Sequence, residues 1–234
     1  MSDFAPVKEL IKDVPGWLSN EEGEALYDLA RECTGKGVIV EIGSWKGKST
    51  ICLARGSREG SGVRVFAVDP HADYRHGEFK DNIDRAGIAD LVTPVKGLSQ
   101  DVVGEFEEPI ELLFVDGSHE EDDVRNDFDQ WVPKVVEGGI VAFHDTTWHA
   151  GVRKVVAEKI YSSRQFKDVR FVIGSTTVAR RVAQNTARDR LHARRVQATK
   201  AIFGTVTRVL KKKRSWLPSP LERAGRRVFN LVGR

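Results

Sequence analysis

A chain of 234 residues, 40 % apolar and 30 % charged, holds enough sequence for one domain of ordinary size plus an appendage, and reads as soluble and globular. Its opening, MSDFAPVKELIKDVPG, lacks a cationic-then-apolar signal pattern, and no apolar run nears the roughly 18 residues that cross a bilayer, so export and membrane insertion are not expected. The net charge of +3 conceals an asymmetry: residues 1–179 carry 21 Lys and Arg against 32 Asp and Glu, a balance of −11, while residues 180–234 carry 16 against 2, a balance of +14. An acidic body therefore precedes a basic end, as if that end met an anionic partner, its own body or a second subunit. Cys33 and Cys52 have neither metal-ligand nor redox spacing; buried thiols in a reduced, cytoplasmic setting are expected.

In chain order, Ser19-Asn20-Glu21-Glu22 has the form of a capping box and opens a helix running to about Cys33. Apolar runs follow at 37–42, 63–68, 92–95, 112–115 and 139–143, rich in Val, Ile, Leu and Phe without strict alternation, as in strands buried on both faces. Helical patterns lie between and after them, near 47–57, 79–88, 98–106, 120–137 and 150–163. This alternation predicts an open, mainly parallel α/β sheet. Two further runs, 169–173 and 176–182, leave no room for a crossover helix and should pair antiparallel at the sheet edge. From about 183 the sequence becomes a basic amphipathic extension, with Ile202, Phe203, Val206, Val209 and Leu210 on a helical spacing. Lys211–Arg214 and a Pro-rich stop follow, then a second amphipathic stretch, 221–233. The expected division is 1–182, with 1–36 as a helical lead-in, and 183–234 as the extension.

The run VIVEIGSWKGKST imitates a triphosphate loop, but that loop needs four residues between its first glycine and Gly-Lys-Ser. Only three separate Gly43 from Gly47-Lys48-Ser49, and the required position holds Ile42. Lys48 is then a helix-start residue. The dinucleotide pattern fails as well, because Trp45 stands where its second glycine belongs. Glu41, ending the first strand, would repel a pyrophosphate and favour a cation. Asp69, ending the second, can accept both ribose hydroxyls. A ligand with a ribose, a cationic centre and no phosphate suits both, and S-adenosylmethionine is such a ligand. The alternative is that Glu41 caps the next helix and Asp69 merely ends a strand.

On these residues the chain resembles the class I S-adenosylmethionine-dependent methyltransferases. Glu41-Ile42-Gly43-Ser44-Trp45-Lys46-Gly47 looks like their first motif, with Trp45 replacing the usual middle glycine. More narrowly, residues 37–157 are similar to a bacterial subgroup carrying Glu-Ile-Gly-Ser, Val-Asp-Gly-Ser-His and Phe-His-Asp, related to metal-dependent sugar O-methyltransferases. The resemblance implies a Rossmann-like fold with a mainly parallel seven-stranded sheet and helices on both faces. It implies cofactor contacts at Glu41, Gly43, Ser44, Gly47, Ser49, Asp69 and Asp116, and at Ser99 in the loop Gly97–Gln100 near the adenine. It also implies a carbohydrate hydroxyl as acceptor, such as the anomeric hydroxyl of a short methylated mannoside. The basic extension lies outside it.

Neighbouring strands should bring Val115-Asp116-Gly117-Ser118-His119 and Phe143-His144-Asp145 side by side. Asp116 and Asp145 then describe a hard-cation site, most simply for Mg²⁺, with His144 as a further ligand. A divalent cation would lower the pKa of a sugar hydroxyl and fix its oxygen. His144, His119 and Asp116 are the candidate bases. The alternative is strand-end capping and turn chemistry, and Glu120–Asp123 fits the acidic first turn of a helix. Tyr74 and His76, in the loop after the second strand, and Trp148 after the fifth are candidate acceptor contacts; a ring there can stack on a sugar face or simply pack. For the extension, a homodimer contact or docking on its own body is favoured over an anionic membrane surface, and no RNA-recognition motif is present, so nucleic acid is not expected as partner. RNA, a small phenol or a catechol remains as the rival acceptor, and a non-catalytic nucleotide-binding module or a triphosphate enzyme as the rival class.

Overall fold

Runs rich in Val, Ile, Leu and Phe become five parallel strands in the computed structural model, which describes residues 3–71 and 75–213. These are β1 (Val38–Ile42), β2 (Val65–Asp69), β3 (Val92–Lys96), β4 (Ile110–Val115) and β5 (Val135–Phe143). The closely spaced β6 (Phe166–Val172) and β7 (Thr176–Arg181) pair antiparallel, and the seven strands lie in the order β3-β2-β1-β4-β5-β7-β6. The order reverses between β1 and β4, and at such a switch the strand ends open a crevice.

Around the sheet run α1 (Ala5–Ile11), α2 (Asn20–Arg31), α3 (Lys48–Glu59), α4 (Arg75–Arg85), α5 (Ser99–Val102), α6 (Glu121–Trp131), α7 (Ala150–Val156) and α8 (Ala187–Lys213). Strand alternation splits the core in two. Ile39, Ala67, Leu112 and Phe114 face one side with residues of α1 to α4; Val40, Ile42, Val68, Leu113 and Phe143 face the other with Phe128, Trp131 and Val155. α1, within the expected helical lead-in, adds Val7 and Ile11 to the first core. The expected capping box is present, Ser19 Oγ accepting from Glu22 N at 3.2 Å. Two expected helices are shorter in the structure. The one near 98–106 is the single turn of α5, and the one placed over 120–137 ends at Trp131. Pro133, which cannot donate an N–H, sits in a 3₁₀ turn, after which the chain is extended as β5 from Val135. Both cysteines are buried and free, and burial raises their thiol pKa values. Among the described residues no helix is long and apolar enough to cross a membrane.

The basic extension docks on its own chain. Ala193 is buried in the second core, and His192 Nε2 lies 2.8 Å from the Val169 carbonyl of β6. Lys200 is only 6 % exposed. Its Nζ donates to Thr177 Oγ1 at 3.3 Å and lies 5.2 Å from the centre of the Tyr161 ring. The stretch 221–233 and Arg214 lie outside the described residues.

Burial, together with the charge of Arg153, lowers the Lys200 pKa to about 7. Between that value and the ordinary lysine value of 10.5 the unfolded chain binds a proton that the folded chain does not, so this group makes stability rise with pH across that window and levels off below it. Lys200→Met is expected to remove a slope of about 1.4 kcal/mol per pH unit. Denaturant unfolding at pH 7.5 and 9.5 checks this; an unchanged slope in the variant would contradict it.

Candidate functional site

The carboxyl ends of β1, β2, β4 and β5 open into one cleft of about 1360 Å³. Its floor depends on Gly43, whose φ is 89° and whose missing side chain makes room for the Asp116 backbone: a Cβ there would overlap the Asp116 carbonyl oxygen. Backbone bonds lock the junction, Gly43 N to Val68 O and Asp116 N to Ile42 O, each 2.8 Å. Trp45, at φ 42°, adopts the left-handed backbone that glycine adopts freely. Two contacts offset that strain. Trp45 N donates to Asp69 Oδ2 at 2.9 Å, and the ring stacks on Trp17 at 5.3 Å. Asp69 also accepts from His71 N at 2.8 Å through its other oxygen. Each oxygen keeps a lone pair for a ligand hydroxyl.

Gly43, Ser44, Ser49, Asp69, Ser99, Asp116, His119, His144, Asp145 and Trp148 all line this cleft. Ser99 donates to the buried Asp127, whose carboxyl burial raises to about 6. Glu41 does not point at the ligand side. As the Ile39-side residue of β1 it turns beneath α3, is fully buried and accepts from Thr50 Oγ1. Burial raises its pKa to about 8, so it is uncharged at neutral pH and cannot serve as the expected cationic counter-charge. Gly47, at φ 85°, caps α3 against Phe79 and Ile83 and shapes the loop from behind. His76 packs edge-on to His71 and is not among the residues that line the cleft. Tyr74 lies outside the described residues.

Four of the expected chemical groups converge. His144 Nδ1 lies 3.0 Å from Asp116 Oδ1 and 3.5 Å from Asp145 Oδ2, and its Nε2 lies 3.3 Å from Glu22 Oε1. Burial alone would lower the imidazole pKa, but the three carboxylates outweigh it and raise it to about 12. The three carboxylates therefore favour the protonated imidazole, which disfavours His144 as a base. Burial raises the Asp116 pKa despite its bond to His144, whereas for Asp145 burial is outweighed by His144 and His119, which lower it. Asp145 sits at φ 56° and contacts His119 Nε2 at 2.8 Å and His149 Nε2 at 3.7 Å. The His119 and His149 rings stack at 3.7 Å.

Three groups here carry no cation-site or cofactor signal in the sequence. His149 has no spacing signal beyond lying four residues after Asp145. Glu22 carries only a capping signal in the sequence, yet its Oε1 also accepts from Ser175 N at 2.7 Å and Thr176 Oγ1 at 2.8 Å, tying α2 to the β6–β7 turn behind His144. Asp127 appears in the sequence as an ordinary helix residue.

Donor chemistry fits a divalent cation. Asp116, His144 and Asp145 offer ligand atoms within 4.8 Å of one another, and His119, Asp145 and His149 form a second such group. Two carboxylates with an imidazole suit Mg²⁺ or Mn²⁺; two imidazoles with a carboxylate suit a softer metal. Asp69, with free lone pairs, and the Gly97–Gln100 segment at the same cleft fit a ribose and a flat base.

Residues 40–146 match the family described as a methyltransferase domain. The fold is that of the class I methyltransferases. An O-methyltransferase from Bacillus cereus in complex with S-adenosylhomocysteine shares the methyltransferase fold at a TM-score of 0.61, 21 % identity, 77 % of this chain and 93 % of that chain. An O-methyltransferase from Streptomyces achromogenes involved in tomaymycin synthesis, in complex with S-adenosylmethionine, gives a TM-score of 0.57, 20 % identity, 78 % of this chain and 91 % of that chain. Among curated proteins the chain is 31 % identical over 136 residues to a catechol O-methyltransferase of Mycobacterium tuberculosis, covering 57 % of this chain and 58 % of that protein. It is also 31 % identical over 117 residues to an uncharacterized protein of Sinorhizobium fredii, covering 46 % of this chain and 13 % of that protein. The chain thus spans just over half of the one relative and a small part of the other.

Because Glu41 must take up a proton to be buried at pH 7, Glu41→Gln is expected to leave stability unchanged or raise it, while Gly43→Ala, which forces a side chain into the Asp116 backbone, costs more than about 2 kcal/mol. Chemical unfolding of both variants measures this; equal losses would contradict the geometry.

Proposed function

We propose that the chain is an S-adenosylmethionine-dependent O-methyltransferase that uses a divalent cation. The observation that carries the reading is the meeting of Asp116, Asp145 and two histidines with Asp69 and the Gly43 turn in one cleft. When bound, S-adenosylmethionine supplies a methyl group on a positively charged sulfur, and a divalent cation supplies a fixed positive charge that acidifies a hydroxyl.

The chain's own residues divide the remaining work. Asp69, anchored by two backbone N–H groups, accepts the ribose hydroxyl hydrogens. Ser44 and Ser49 would hold the amino-acid end and Ser99, steadied by Asp127, the base. Asp116, Asp145 and Nδ1 of His144 would hold the cation, whose charge would replace that of the His144 proton. His119 takes the acceptor proton: its Nε2 is held by Asp145, which leaves Nδ1 as the accepting atom, and its side chain is 40 % exposed. With S-adenosylmethionine bound, an O–CH₃ bond would form as the S–CH₃ bond breaks, the electron pair staying on sulfur. Holding both partners in line provides most of the acceleration, about 7–11 kcal/mol in favourable cases.

The acceptor proposed first is a sugar hydroxyl, such as the 1-hydroxyl of a short methylated mannoside, on the likeness of the Val-Asp-Gly-Ser-His and Phe-His-Asp motifs to sugar O-methyltransferases, down to an enzyme of methylmannose polysaccharide synthesis. A catechol is the second reading, favoured by the relative named a catechol O-methyltransferase.

Calorimetric titration with S-adenosylhomocysteine is expected to show binding that weakens at least tenfold in Asp69→Ala. Turnover of a methylated mannoside or of catechol should vanish in EDTA, return with Mg²⁺, and fall roughly 10²–10⁴-fold in His119→Asn. Full activity in chelator would remove the cation from the mechanism, and no binding to wild type would refute the cofactor.

A further inference from the structure

The basic helix α8 lies outside the segment that matches the methyltransferase domain, yet it reaches the chemistry. Phe203 lines the same cleft as Asp145, Trp148 and His149. Its ring packs on Phe171 of β6 at 5.4 Å and a 59° tilt. One residue on, Gly204 is buried against the loop that follows Asp145: a Cβ there would stand 3.2 Å from Thr147 Cγ2. The contact is anchored from below. Lys200 donates to Thr177 Oγ1, which lies 2.9 Å from Thr146 Oγ1, and Thr146 Oγ1 donates to Ser175 O at 2.7 Å. A chain of buried polar contacts therefore ties one face of α8 to the residue next to Asp145.

We propose that α8 completes the acceptor pocket, with Phe203 and Trp148 forming an apolar wall for the non-polar face of the acceptor ring. This rests on the O-methyltransferase reading above. A hydroxyl alone gives a cation site little grip on which molecule carries it. An aromatic wall beside the site adds that grip, because the C–H face of a pyranose and the face of a catechol both lose water favourably against such rings. Ile202, one residue from Phe203 and 61 % exposed, faces solvent and is not part of the wall.

Saturation-transfer NMR with methyl α-mannoside and with catechol, each in the presence of S-adenosylhomocysteine and Mg²⁺, tests the wall and separates the two ring types. Phe203→Ala is expected to weaken the bound probe roughly tenfold, Phe203→Leu less, and Ile202→Ser not at all, with S-adenosylhomocysteine affinity unchanged within about twofold. Should Phe203→Ala loosen α8, seen as a lower melting temperature, Phe203→Leu decides, since it keeps the packing on Phe171. Unaltered probe affinity in both Phe203 variants overturns the wall, as does a wild type that binds neither probe while binding S-adenosylhomocysteine. Loss of S-adenosylhomocysteine binding in the wild type itself refutes the underlying methyltransferase reading, and the wall with it.

Discussion

The site exists because the backbones of β1 and β4 come together at their carboxyl ends, and they do so only over a glycine. Gly43 turns the chain through a left-handed conformation and leaves the space that the Asp116 carbonyl fills. That contact fixes the positions of several groups at once. Asp116 is carried to the rim of the cleft, Ser44 and Trp45 are swung out over it, and the Trp45 N–H meets the carboxylate of Asp69. Parallel pairing of β4 with β5 then places His144 beside Asp116, with His144 N bonded to Val115 O at 3.0 Å. An ordinary side chain at position 43 would separate the two halves of the sheet where they line the cleft.

A second constraint is electrostatic. Three carboxylates, from Glu22, Asp116 and Asp145, surround one buried imidazole. Such a cluster is costly to desolvate unless positive charge stands within it. His144 supplies that charge in the structure, and a divalent cation would supply it more strongly. Glu22 links this balance to the scaffold, since the same carboxylate caps α2 and holds the β6–β7 turn. Stability and chemistry thus draw on one set of acids.

Much of this was legible in the sequence, for reasons that can be named. Apolar runs without alternation marked the buried strands, the short gap between 169–173 and 176–182 marked the antiparallel edge, and Ser19 with Glu22 marked a helix start. The strand-end positions of Asp69, Asp116 and Asp145 placed them in one cleft once the strand order was granted. What failed depended on direction or distance. Glu41 ends its strand as Asp69 does, but strand parity turns it under α3, where burial neutralises it. Glu22 meets Ser175 across 153 positions, and Phe203 reaches the cleft from a helix beyond the last strand; local spacing holds no trace of either. The helix drawn to 137 overran because Pro133 outweighed the helical pattern around it.

The central claim is that strand-end carboxylates and histidines form a cation site joined to a nucleoside pocket. Electron paramagnetic resonance of Mn²⁺ titrated into the full chain, with S-adenosylhomocysteine present, tests it most directly. The account predicts one tightly bound Mn²⁺ per chain, lost in Asp145→Asn while S-adenosylhomocysteine still binds. A spectrum of free Mn²⁺ alone at every ratio in the wild type, or unchanged binding in Asp145→Asn, would contradict it.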